Sequence, residues 1–331
     1  MIPDFYTPNP AWSGQIERIV ELLGRISAVE ELSGRVPELR RTNRINSVHS
    51  STAIEGNELT LAQVEDVANG EPVFASPRQV REVENALTAY DALGDLDPWS
   101  VDDFLKAHGL LTAGLVAESG AFRTVDVEIV GADGEVLHTG SRVEKVPRLV
   151  TELLEWGSAS TDHPLVVSSA SHFLIEHIHP FRDGNGRIGR LWQTLILSRW
   201  RPVFAWMPTE TLIRAHQDGY YVALQASRQP EIDAAVFIDY MFGVITEAIE
   251  SYEARAKADA NVGVNVGINV GVNEAVLALL RVEPTLSAAA IAERLGKTSR
   301  TIERHLADIK SAGRVRREGS AKAGRWVVID S

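Results

Sequence analysis

HPFRDGNGRIGR, residues 179–190, packs one histidine, one aspartate, one asparagine, three arginines and three glycines into twelve positions. His179 precedes Pro180, and a residue before proline is driven out of the helical region, so the helix carrying HFLIEHI must end there. Asp183-Gly184-Asn185-Gly186 then turns the chain, and RIGRLWQTLILSRW opens a second helix. The first N–H groups of that helix, made concave by glycine, form a nest for an anion. Arg187 and Arg190 lie three residues apart on adjoining turns, where two permanently charged forks clamp the same anion. A phosphate chain suits such a cradle. Asp183, in the loop, is placed to hold Mg²⁺ between phosphate oxygens. His179, with an ordinary pKa of about 6.5, is placed to take a proton from an attacking hydroxyl. These are the parts of phosphate-ester transfer.

Rival readings of the same stretch fail on context. GNGRIG, 184–189, satisfies G-x-G-x-x-G, but a helical pattern precedes it where a dinucleotide-binding fold needs a buried strand. No V-A-I-K, H-R-D-L or D-F-G set accompanies it, which excludes a kinase loop. His172, His177 and His179 lack the H-E-x-x-H spacing of a metal site, and His172 with Glu176, four residues apart, reads as a structural pair near the core.

The chain of 331 residues is long enough for about two domains. Its apolar fraction of 44% and charged fraction of 24% are those of a globular protein. MIPDFYTPNPAW has neither a basic nor an apolar leader region, and no stretch approaches the roughly 18 apolar residues of a membrane span, so a cytoplasmic protein without membrane contact is expected. There is no cysteine, which removes disulfides and thiolate chemistry. Net charge is −12, but residues 273–331 carry +4 and residues 1–272 carry −16. The tail is therefore a different kind of domain.

Apolar repeats of helical period predict a mainly α fold, with helices near 12–32, 37–56, 101–113, 145–156, 164–178, 187–199, 209–227 and 231–257. Thr60 with Gln63, and Ser76 with Gln79, fit the capping box, the second with Pro77 at the first helical position. RTVDVEIVGADGEVLHTG, 123–140, alternates on both sides of Asp133-Gly134 and predicts a two-stranded flap. NVGVNVGINVGVN, 261–273, repeats with period two. It predicts either a glycine hinge or an edge strand, the strand pairing within the chain or between two copies in a homodimer. Beyond it, three short helices and an alternating hairpin resemble a winged helix-turn-helix. Arg300 and Arg304 on the third helix, and Arg316 and Arg317 in the hairpin, are its candidate DNA contacts.

HPFRDGNGRIGR resembles the signature of the Fic domain family, H-x-F-x-D/E-G-N-G-R-x-x-R, at every defined position, and the similarity extends over roughly residues 45–250. HSSTAIEGNEL, 49–59, is similar to the family's inhibitory-helix pattern, S/T-x-x-x-E-G/N, with Ser51, Glu55 and Gly56 in the matching places. Glu55 also stands at a helix end, where the macrodipole disfavours negative charge and a cation elsewhere is wanted.

Together with the pattern of the tail, the resemblance divides the chain into an N-terminal helical region (1–110, with the inhibitory helix at about 37–56), a Fic catalytic core (111–258), a repeat linker (259–272) and a winged-helix domain (273–331). It implies transfer of AMP from ATP, with Mg²⁺, to a Ser, Thr or Tyr hydroxyl of a target protein, or of the chain itself. In that scheme His179 is the general base and Asp183 the metal ligand. Gly184, Asn185, Gly186, Arg187 and Arg190 hold phosphates, and Phe181 anchors the loop. Glu55 pairs Arg190 to block the site. Tyr220 and Tyr221 either line a base pocket or are core aromatics. Two other outputs stay open: a nucleotide-sensing DNA-binding regulator, and removal of AMP from a modified protein.

Overall fold

The computed structural model describes residues 5–32, 36–130, 134, 136–229, 231–295, 297–318 and 325–329. Contacts divide the chain into two compact units, one essentially residues 1–256, the other 257–331 with 32–34.

In the first unit the helices are α1 (Trp12–Leu32), α2 (Val36–Ile54), α3 (Leu61–Asn69), α4 (Pro77–Asp91), α5 (Val101–Thr112), α6 (Val146–Ala159), α7 (Pro164–Ile178), α8 (Asn185–Trp200), α9 (Thr209–Ala215), α10 (Gln217–Ala226) and the first part of α11 (Ala235–Val282). A mainly α fold is what the periodicity predicts, and the boundaries fall near the expected ones. Two differ. The stretch 209–227 breaks at His216 into α9 and α10, and α11 runs on through the Asn/Val/Gly repeat. The expectation of a hinge or edge strand at 261–273 is thus corrected, since the backbone there is helical. A helix already nucleated on one side propagates one hydrogen bond per residue, so poor helix formers can be carried along.

Pairs α7 and α8 form the centre of the unit. Nearly every residue of α7, and Asn185 through Leu197 of α8 apart from Gly186, is buried. Phe104 of α5 lies edge-on to Trp192 of α8, with centroids 5.0 Å apart, and 5.5 Å from Phe181. The buried carboxylate of Glu210 accepts from the hydroxyls of Ser47, Tyr90, Thr194 and Thr209, at 2.6–3.3 Å. Four such donors offset the desolvation of one charge and lock α2 and α4 onto α8 and α9.

Strands β1 (Glu128–Val130) and β2 (Val136–Thr139) form the antiparallel flap, shorter than the alternation suggests. Gly134 has φ +83 as a tight turn requires; Asp133 lies outside the described residues. The Thr60–Gln63 capping box makes both of its bonds, whereas Ser76 makes no side-chain cap bond. Pro77 presets that first turn through its fixed φ.

The second unit packs the end of α11, α12 (Ala288–Leu295), α13 (Ser299–Ser311), β3 (Val315–Glu318) and β4 (Arg325–Val328) around Leu277, Leu280, Ile291, Ile302 and Ile309. Thr298 caps α13 by accepting from the Thr301 N–H. The hairpin tip, 319–324, lies outside the described residues.

Phe104 is fully buried at the junction of α5, α8 and the 179–190 loop. Phe104→Ala is expected to lower stability by about 3–5 kcal/mol, measured by urea unfolding as a shifted midpoint at unchanged slope.

Candidate functional site

The 179–190 loop has a backbone that few residues tolerate. His179 terminates α7 at φ +53, ψ +62, the one non-glycine residue with positive φ among those described. Several contacts hold it there. Its N–H bonds the Ile175 carbonyl at 2.9 Å, and its own carbonyl accepts from Nε of the buried Arg123 at 2.8 Å. Arg123 also donates to the Val125 and Ser141 carbonyls, fastening the base of the flap to the histidine. Among the described residues, a positive φ on a bulky side chain held this firmly is a mark of strain retained for use.

Phe181 is fully buried. It stacks on His108 of α5 with centroids 3.6 Å apart and planes within 3°. His108 Nδ1 accepts the Gly120 N–H at 3.1 Å, so in the neutral ring Nε2 carries the proton and donates to the Asp183 carbonyl at 3.0 Å. Burial pushes His108 down to about 4, in keeping with that neutral tautomer. Asn185 spends both ends of its amide on Phe181, accepting from its N–H and donating to its carbonyl, each at 2.9 Å. The side chain thereby shapes the loop, with one amide hydrogen still unspent.

Helix α8 begins after Gly184, at φ +85, and its first N–H groups face a cleft of about 320 Å³. The cleft is lined by Glu55, Glu176, His179, Asp183, Gly186, Tyr220 and Tyr221, among others. Arg187 and Arg190 do not share a partner here. Arg187 donates to Asp183 at 2.9 Å, and Arg78 of α4 approaches the other Asp183 oxygen at 3.3 Å. Arg190, 2% exposed, donates to the Ser51 hydroxyl at 3.1 Å, the Ser51 carbonyl at 2.9 Å and Glu55 Oε1 at 2.8 Å. Burial alone would lower this guanidinium, but the Glu55 charge raises it above its ordinary value. A methyl group built on Gly186 would stand 2.3 Å from Glu55 Oε1. Glu55 is therefore inserted against the amino end of α8, where the dipole favours an anion, from just beyond the carboxyl end of α2, where it does not. Gly56 follows at φ +89.

His179 differs from the sequence expectation of an ordinary imidazole. Burial first, with the Arg228 and Arg123 charges, depresses it to about 4, and the nearby Glu176 carbonyl and the Asp183 charge only partly oppose them. The ring is neutral at physiological pH. Tyr220 and Tyr221 separate: Tyr220 is buried and bonded to Glu176 and His172, while Tyr221 is about half exposed at the cleft.

Among the described residues no group of three His, Cys, Asp or Glu side chains gathers as a protein-built metal cage. Asp183, with a partly exposed carboxylate on the wall of the cleft, fits Mg²⁺, which is commonly held by one or two carboxylates together with substrate phosphates and water. Arg78, His108 and Arg123 escaped the sequence reading. Each is a lone polar residue on an amphipathic or alternating segment, and none carries a spacing that marks it.

Residues 96–197 match the model of the Fic/DOC family. The structure superposes on a Fic family protein from Desulfovibrio desulfuricans with TM-score 0.74 and 35% identity, covering 99% of this chain and 98% of that one. This chain belongs to the Fic family. The protein adenylyltransferase Fic of Culex quinquefasciatus is 25% identical over 231 residues, and that of Drosophila melanogaster 26% over 220. Those alignments take 66% and 62% of this chain but only 44% and 42% of the relatives, so the chain spans less than half the length of the curated relatives it matches. Fic-1 of C. elegans (residues 134–508) shares the fold at TM-score 0.59 and 22% identity.

Asn185→Ala strips both buried bonds from the Phe181 backbone. It is expected to cost at least about 2 kcal/mol of stability, measured by urea unfolding, because each orphaned buried group carries its own desolvation penalty.

Proposed function

We propose that this chain is a protein adenylyltransferase that moves AMP from ATP to a hydroxyl of a protein, held inactive by Glu55. The observation that carries the reading is the buried Arg190 at the amino end of α8, met by a carboxylate from α2 at 2.8 Å in the place an anion would take. The homologues named protein adenylyltransferase support the reaction class.

In this reading the polyphosphate lies along the first turn of α8, with Arg190 released from Glu55 to bind its terminal part. Arg187 and the N–H groups of Gly184 and Gly186 hold the rest. Asp183 would hold Mg²⁺, which when bound supplies charge neutralisation between phosphate oxygens. His179 Nε2 takes the proton of the incoming Ser, Thr or Tyr hydroxyl as its oxygen attacks the innermost phosphorus. The P–O bond to the two outer phosphates breaks, and pyrophosphate leaves. Tyr221 stands at the mouth of the cleft to meet the base. The flap lies beside His179 through Arg123 and offers a strand edge to the target segment.

We also read the second unit as a winged helix-turn-helix. Arg300 and Arg304, both exposed and one turn apart on α13, are the reading's candidate base-edge contacts; Arg316 and Arg317 on β3 are its phosphate contacts. Arg316 is already paired to Glu318 at 2.7 Å, and Arg317 lies over Trp326 at 4.9 Å.

Incubated with α-labelled ATP, Mg²⁺ and a lysate, Glu55→Gly is expected to transfer at least tenfold more label than the parent chain, and Glu55→Gly with His179→Ala none. Equal labelling by the two variants refutes the mechanism. The pH profile of kcat/KM reports the free enzyme's base. With His179 near 4, activity needs the neutral ring and is lost only as pH falls through that value. The acid limb of Glu55→Gly self-modification should therefore lie well below pH 6, and a midpoint at the ordinary histidine value would contradict the assignment.

A further inference from the structure

Glu176 is a buried carboxyl that the mechanism does not use, and it faces the same cradle as Glu55. A methyl group built on Gly186 would stand 3.2 Å from Glu176 Oε1 and 2.3 Å from Glu55 Oε1, so the two carboxyls close on one small volume. The groups around Glu176 are Glu55 of α2, Arg190 of α8, Tyr220 of α10, His172 of its own helix and Arg228, whose Nη2 donates to the Glu176 carbonyl at 3.0 Å.

A hydrogen-bonded chain leads away from it. Glu176 Oε1 and Tyr220 Oη are 3.1 Å apart, Tyr220 Oη and His172 Nε2 3.0 Å, His172 Nδ1 and Gln193 Oε1 2.7 Å, and Gln193 Nε2 and Ser169 Oγ 3.2 Å. The direction of donation can be read from the far end. Ser169 gives its one hydroxyl hydrogen to the Leu165 carbonyl at 2.8 Å, so it accepts from the Gln193 amide nitrogen. Gln193 Oε1 then faces His172, and Nδ1 must carry a proton. If the ring is neutral, Nε2 is an acceptor, Tyr220 donates to it, and the phenol oxygen can only accept from Glu176. If Tyr220 instead donates to an ionised Glu176, both ring nitrogens must be protonated. In either arrangement the Glu176–Tyr220–His172 unit holds one extra proton and has no net charge.

Burial chooses between the two. His172 is fully buried and is pushed down to about 3, first by desolvation and also by Arg190, whereas desolvation and the Glu55 charge push Glu176 up. The proton stays on Glu176. The contact of His172 with α8 depends on Gly189, where a methyl group would meet the ring at 2.8 Å. Gly186 and Gly189 thus open one face of α8 to both members of the chain.

We propose that Glu176 works as an uncharged carboxylic acid, a positioning residue that keeps the wall of the cradle neutral so that a second anion can sit beside it. In the present structure that anion is Glu55; in the nucleotide reading above, on which this part rests, it is the phosphate chain. An ionised Glu176 would set two negative charges against each other in a partly buried site, and the tethered or bound anion would be expelled.

Infrared difference spectra of the full chain against Glu176→Gln test this directly. A protonated-carboxyl C=O band at pH 7 that the variant lacks is expected; no such band overturns the proposal. Glu55→Gln should move the alkaline loss of that band to lower pH, because the like charge that raises Glu176 is gone. A band whose titration ignores Glu55 counts against the shared cradle. In the Glu55→Gly background, binding of a non-hydrolysable Mg²⁺–ATP analogue is then followed by calorimetry. Its Kd should rise by up to tenfold per pH unit once the band is lost, and Glu176→Gln should remove that rise. The same rise in both chains overturns the proposal. Should the background chain bind no analogue while band and Glu55 dependence persist, the nucleotide reading fails and the neutral wall beside Glu55 stands. If the Gln variant does not fold, Tyr220→Phe replaces it: losing its acceptor, the acid should shift its band frequency, and an unmoved band overturns the assignment.

Discussion

A guanidinium with almost no access to water must have a counter-charge, and Arg190 is the point on which this structure turns. Its hydrogen-bond partners come from α2 and the residue just beyond it: the Ser51 hydroxyl and carbonyl and the Glu55 carboxylate. Removing one member of a buried ion pair leaves the other uncompensated, typically at a cost of about 3–5 kcal/mol. Glu55 therefore has little freedom to leave on its own. It can be exchanged for another anion, and its side chain, one-third exposed, has an open path by which to go. In the proposed reading, inhibition and nucleotide binding are a single competition for one cation.

The rest of the site holds the loop in a fixed place. Arg123 holds the carbonyl of His179, His108 holds the carbonyl of Asp183, and Asn185 closes on Phe181 from within the loop. Each bond uses a buried side chain to orient a peptide group, which is why the backbone can keep a positive φ at a bulky residue. Loops built on such supports lose little entropy when a ligand arrives. The same packing disfavours a charged His179 ring, since charging it would require desolvating a cation beside Arg123 and Arg228.

Much of this was legible in the sequence because it is carried by local pattern. His179-Pro180 marks a helix end, Gly184 and Gly186 mark a turn into a helix amino terminus, and Glu55-Gly56 marks a charge stranded at the wrong end of a helix. What was not legible depends on contacts far apart in the chain. The hold of Asn185 on Phe181 shows only when both ends of its amide are seen on that residue's backbone. His172 and Glu176 look like an i,i+4 pair, yet each reaches Tyr220 instead. The repeat at 261–273 misled for the opposite reason: a period-two pattern argues for a strand only where one face is buried, and a helix entering from the side overrides it.

If Glu55 acts as proposed, it is a tethered inhibitor, and dilution of the chain does not weaken it. If the Glu55-out state makes up a fraction f of the chain, the apparent Kd for a competing anion is its intrinsic value divided by f. A Glu55–Arg190 contact worth about 3 kcal/mol would set f near one in a hundred and weaken binding about a hundredfold, still within reach of a ligand abundant at millimolar levels. Because Glu55 stands at the carboxyl end of α2, whose dipole repels it, the contact is weaker than an ideally placed pair. On the proposed reading the brake is strong enough to hold and too weak to be permanent, and a partner that loosens α2 from Glu210 would shift f without touching the cleft.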